Sequence, residues 1–154
     1  MISAMLTRRF LLAAAAASMI APAATAQDMP FFFATEGAAM AGYDVVSYFD
    51  ADAPIEGKSE HAVVWRGAKW QFATAKNREA FERDPRAFAP QFGGYCAYAM
   101  AHGSLTGSDP MAWQVVGGRL YMTHSLEVER MWRTDSAEYI RMAEAHWPGI
   151  LHNK

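Results

Sequence analysis

Cys96 is the only cysteine of this 154-residue chain, and it stands in "GGYCAYAMAHG", residues 93–103, between two tyrosines and behind a glycine pair. Three chemistries are open to such a sulfur: a small buried apolar group, a metal ligand, or a reactive thiol. Met100 lies four residues on, the spacing that shares a helix face, and His102 follows. Together, Cys96, Met100 and His102 form a soft donor set suited to cuprous copper. Their order differs from a blue-copper loop, where histidine and then methionine follow the cysteine. The remaining histidines, at 61, 124, 146 and 152, show no ligand spacing. For a reactive thiol the polar groups to expect nearby are Tyr95, Tyr98 and the acid Asp44 of "GYDVV". A carboxylate beside the sulfur would disfavour the thiolate. No glycine-rich phosphate loop, zinc-protease helix or serine triad is present, and Ser104 and Ser108 fall in an ordinary loop.

The local sequence also says how the sulfur is held. Gly93 and Gly94 break the preceding structure, the alanine-rich "YCAYAMAH" winds about two turns of helix, and Gly103 can end it. Cys96 then sits in the first turn, where unpaired backbone N–H groups carry partial positive charge and favour a thiolate.

The segment that precedes these elements reads as an address. Residues 1–26 combine a basic start, an apolar run from Phe10 to about Ile20, and small residues at Ala24 and Ala26, the pattern of an export signal. Arg8 and Arg9, followed by Phe10, Leu11 and Leu12, resemble a twin-arginine signal; the alternative is an ordinary secretory signal that carries two arginines. The apolar run is about half the ~20 residues of a permanent span, so no membrane helix is expected after cleavage. The expected location is the bacterial periplasm, an oxidising compartment in which a lone cysteine has no partner in its own chain. The net charge is −2 at neutral pH, and −4 once Arg8 and Arg9 leave with the signal, so the chain lacks the basic surface that nucleic acid requires.

Residues 27–41 read as a lead-in that covers the domain with Phe31 to Phe33. "YDVVSYF", 43–49, is β-branched and aromatic and predicts a strand; 50–60 is a polar loop. The middle and the end of the chain look alike, through duplication or because hairpin-then-helix is a common order. "VVWRGAKWQFATAKNREAFERDPRAF" and "QVVGGRLYMTHSLEVERMWRTDSAEY" superpose at a shift of 51 residues, pairing Trp70 with Tyr121, Thr74 with Ser125, Phe81 with Trp132 and Asp84 with Asp135. Each copy predicts a strand, a glycine turn, a second strand, a hydroxyl-capped helix and an aspartate-capped helical turn. Pro85 suits a first helical position, and Asp135 with Glu138 suits a capping box. The expected fold is α+β: two hairpin-plus-helix units packed as one domain over 42–150, with an antiparallel sheet, helices on one side, and each unit covering the other's apolar face. The five tryptophans read as core packing.

"GYDVVSYF", "FAPQFGGYCAYA" and "DPMAWQVVGGRLYM" resemble the long, exported branch of the YHS-domain family, over about residues 42–148. The resemblance implies redox chemistry at Cys96, because the matching position is cysteine in many members and selenocysteine in others, a substitution whose advantage is redox rather than packing. Short YHS domains are regarded as heavy-metal modules with two cysteines; on "FATAKNREAF" those positions fall on Ala73 and Asn77, neither of which can offer a thiolate. The leading expectation is therefore a periplasmic thiol-dependent redox protein that requires no cofactor. With no second cysteine, it would need an external thiol or a redox partner protein to resolve the oxidised sulfur. The alternatives are a copper-type binding module and a non-catalytic interaction domain, the latter marked by an unreactive thiol and an exposed aromatic patch.

Overall fold

The computed structural model describes residues 29–152, so residues 1–26, expected to be an export signal, lie outside the described residues. The fold is α+β. Two hairpin-plus-helix units form its body: β3 (Lys58–Trp65), β4 (Ala68–Phe72), α2 (Ala75–Arg83) and α3 (Pro85–Phe88), then β5 (Trp113–Val116), β6 (Arg119–Met122), α5 (Leu126–Arg133) and α6 (Ser136–Glu144). Before them come β1 (Ala34–Thr35), β2 (Ala38–Ala39) and α1 (Ser47–Asp50), and between them α4 (Ala97–Ala101).

The repeat holds down to the register. Trp65 pairs with Ala68 and Val63 with Trp70 in the first hairpin; 51 residues on, Val116 pairs with Arg119 and Gln114 with Tyr121. The caps repeat too: Thr74 accepts from the Asn77 N–H and Ser125 from the Val128 N–H, then Asp84 from Ala87 and Asp135 from Glu138. In both units an aromatic ring of the second strand packs on one from the helix, Trp70 on Phe81 at 5.0 Å and Tyr121 on Trp132 at 5.4 Å between centroids.

The copies differ on the outer face of the second strand. Where β4 carries Lys69 and Gln71, β6 carries Leu120 and Met122, so β6 is buried on both faces. Successive strand residues point to opposite sides. Leu120 and Met122 therefore join the first unit's core of Trp70, Phe72, Phe81, Val45 and Val46, while Tyr121 belongs to the second core with Trp132, Tyr95 and Met100.

Two expectations change. The strands form two sheets rather than one, a four-stranded sheet in the order β1-β2-β4-β3 and the separate β5-β6 ribbon. The edge of β4 that could have received the second hairpin is taken by β2, in a parallel pairing. Residues 43–49 are not a strand; only Tyr43 makes a bridge, to Glu56, before the chain turns into α1. Side chain-to-backbone bonds win over β-branched propensity here. Asp44 accepts from the Val46 N–H at 2.9 Å, and the Ser47 hydroxyl sits 2.7 Å from the Asp44 carbonyl and 2.8 Å from that of Ala53 while accepting from the Ile55 N–H.

From Met29 onward the lead-in is bonded to the domain as well as packed on it. The Met29 N–H donates to the Leu151 carbonyl and the Phe33 N–H to that of Gly93. Phe32 enters the first core and Phe33 packs on the second.

Candidate functional site

Cys96 is the N-cap of α4, a helix of five residues rather than the two turns expected, and its sulfur accepts the Ala99 N–H at 3.4 Å. The amide contact expected of a helix start is thus present. The sulfur is also closed in: Cys96 is 1% exposed. Its backbone is fixed on two sides, by donation to the Thr106 carbonyl and by a parallel bridge to Met122. Tyr95 and Ala97 belong to the second core and Met122 to the first, so the thiol lies at the seam between the two units.

The polar groups expected around it are committed elsewhere. Tyr95 is buried and donates its hydroxyl to the Pro30 carbonyl at 2.8 Å; burial raises its pKa above the usual tyrosine value. Tyr98 is half-buried and packs on Tyr139 and His102, with centroids at 5.0 and 4.5 Å; desolvation and then the neighbouring Tyr139 raise its pKa. Asp44 is fully buried and is a clasp. Its carboxylate accepts from the Val46 N–H, from the Ala73 N–H at 2.8 Å and from the Asn77 side-chain amide at 2.7 Å. Ala73 and Asn77 thus both donate to one carboxylate.

The copper set is not assembled. Met100 shares the interior face with Cys96 and is fully buried, but His102 lies roughly 120° away round the helix axis. The His102 ring is exposed, with Nδ1 at 2.7 Å from the Tyr98 carbonyl and the ring packed at a tilt on that of Tyr98. Among the described residues no three His, Cys, Asp or Glu side chains gather closely enough to hold a metal ion.

Sequence reasoning missed the open cleft. It has a volume of about 550 Å³ and lies between the turn of the first hairpin at Arg66-Gly67 and that of the second at Gly117-Gly118. Arg66, Arg86 and Arg119 line it together with the rings of Phe31, Trp65 and Trp147. Trp65 and Trp147 are only half-buried, in contrast to Trp70 and Trp132, which are the core residues expected. One signal was available: "WRGAKW" places arginine in the turn where the second copy has glycine.

No family model, curated protein or solved structure matches the chain. Among the described residues no helix is long and apolar enough to cross a membrane.

Proposed function

We propose that this chain is an exported YHS-type domain that works by binding a ligand rather than by turning over a substrate at Cys96. The observation that carries the reading is the closure of the thiol, 1% exposed at the seam of the two cores. A sulfur that attacks or exchanges with a bulky disulfide must be reached by it. Tyr95 and Asp44, two of the groups that could have assisted, have their polar atoms bound to the Pro30 carbonyl and to Val46, Ala73 and Asn77, and the Tyr98 ring is packed on Tyr139 and His102. A closed thiol together with an exposed aromatic cleft is the pattern of a binding domain. Cys96 then serves as a small apolar cap that also satisfies the Ala99 N–H.

The test is thiol modification of the folded protein by a bulky aromatic disulfide. Cys96 should react only as the chain unfolds, its rate rising with urea. Complete modification within minutes in native buffer removes the binding-only reading.

Thiol redox chemistry remains as a second reading because of the Ala99 amide on the sulfur. It would be confined to an oxidant as small as hydrogen peroxide, which transfers one oxygen to the sulfur and leaves as water; two equivalents of a small external thiol would then return the sulfenic acid to the thiol through a mixed disulfide, releasing water and the external disulfide. Trapping that acid with a carbon nucleophile in folded wild type, and not in Cys96→Ala, would select it.

A further inference from the structure

We infer that the cleft between the two hairpin turns is a binding site for an aromatic compound carrying two or more carboxylates. The inference rests on the reading of the chain as a binding domain and supplies the ligand's class.

Charge is the first ground. Arg66, Arg86 and Arg119 line one cleft, and among the described residues no aspartate or glutamate lines it. The ion pairs among the described residues involve Arg78, Arg133, Arg141 and His61 and none of these three guanidiniums. The chain as a whole is acidic, with net charge −2, so three positive charges at one place, without an ion-pair partner among the described residues, do not reflect a generally basic surface. Guanidinium is the group that matches the planar, two-oxygen geometry of a carboxylate.

The walls are the second ground. Phe31 is 39% exposed and stands edge-on to Trp147 at 5.1 Å. The Arg66 guanidinium lies 5.0 Å from the centre of the Phe31 ring and 5.6 Å from that of Trp65. Stacking of this kind steadies the cation while leaving N–H edges free to donate. Arg119 is steadied differently, by donating to Gln91 Oε1 at 3.2 Å. The cleft therefore offers flat apolar faces and oriented cations side by side, and its 550 Å³ falls within the roughly 300–1,000 Å³ of small-molecule sites.

Backbone conformation is the third ground. Arg66 occupies the turn with φ +48°, a left-handed conformation that suits glycine, asparagine or aspartate. The equivalent residue of the second hairpin is Gly117, at φ +58°. An arginine kept where its counterpart is glycine gives up local ease to put a guanidinium over the cleft.

The test is calorimetric titration of the chain, from residue 27 onward, with biphenyl dicarboxylate, alongside two controls: the neutral biphenyl diamide, which keeps the rings, and adipate, which keeps the charges. One-to-one binding is expected, weakened several-fold when salt is raised to about 0.5 M. Both controls should bind at least about tenfold more weakly, and Arg66→Gln and Arg119→Gln should each cost about tenfold with an unchanged urea midpoint. Both arginines are exposed, so the variants should fold. Equal binding by wild type and both variants, binding of the diamide as tight as that of the diacid, or no binding of the diacid overturns the inference. Thiol modification of the same samples separates the two proposals. A reactive Cys96 with arginine-dependent binding keeps the cleft and removes the binding-only reading; an inert Cys96 without such binding does the reverse.

Discussion

Asp44→Ala tests whether the one buried carboxylate of the first core is a clasp or a catalytic group. Its two oxygens take three N–H donors, from Val46 at 2.9 Å, Ala73 at 2.8 Å and Asn77 at 2.7 Å, and so tie the 43–49 turn to the end of β4 and to α2. Alanine leaves all three without an acceptor. An unmade buried donor costs about 1–3 kcal/mol, and since water can reach the half-buried Ala73 and Asn77, the total should be about 3–5 kcal/mol. That is a large part of the ~5–15 kcal/mol that holds a typical domain. With a urea slope of about 2 kcal/mol/M, the midpoint should fall by about 2 M. Asp44→Asn should also be costly, about 2–3 kcal/mol, because its NH₂ group confronts at least one donor. Asn77→Ala removes one bond and should cost about 1–2 kcal/mol, with a measurable coupling to Asp44 in the double variant. Urea unfolding followed by tryptophan fluorescence gives every value. A midpoint for Asp44→Ala within about 0.5 M of wild type would refute the clasp.

The register-exact repeat makes a paired prediction: Thr74→Ala and Ser125→Ala each remove an N-cap and should cost about 1 kcal/mol alike in urea unfolding. Gly93→Ala should sharply lower the melting temperature, because the residue sits at φ +62° and a Cβ there would fall on the Phe31 carbonyl oxygen and press on Trp147. Stability should fall in strongly alkaline solution. Burial first, then Tyr43, Asp109 and Asp44, raise the Tyr48 pKa, and burial raises that of Tyr95. A raised folded-state value keeps the phenol neutral, so its contribution is whole below the unfolded value of about 10 and is lost as pH climbs above it. Tyr48→Phe should flatten that decline while costing about 1 kcal/mol at neutral pH through the lost bond to the Pro110 carbonyl, both visible as unfolding midpoints against pH.

The parts of the fold that local rules govern were legible. Glycine turns, hydroxyl and aspartate caps and the 51-residue repeat are written in contiguous residues, and the hairpins and helices follow them. "YDVVSYF" misled because its β-branched and aromatic residues are buried, as a strand's would be, while Asp44 and Ser47 bond the backbone into a turn. The site was less legible. Cys96 was placed at a helix start correctly, yet its distance from Asp44's partners and from the His102 ring depends on which face of a short helix meets which core. The cleft draws on Phe31, Arg66, Arg86, Arg119 and Trp147, residues spread along 117 positions of chain.

By itself the sequence determined the two units, their caps, and a single sulfur seated on a backbone amide, since each depends on neighbours within a few residues and on the short-range geometry of the chain. Only the tertiary structure decided that Leu120 and Met122 plug the first core, that the thiol is shut in the seam this creates, and that three arginines meet aromatic walls in the open. Burial and encounter are properties of surfaces brought together from distant segments, and no local spacing encodes them.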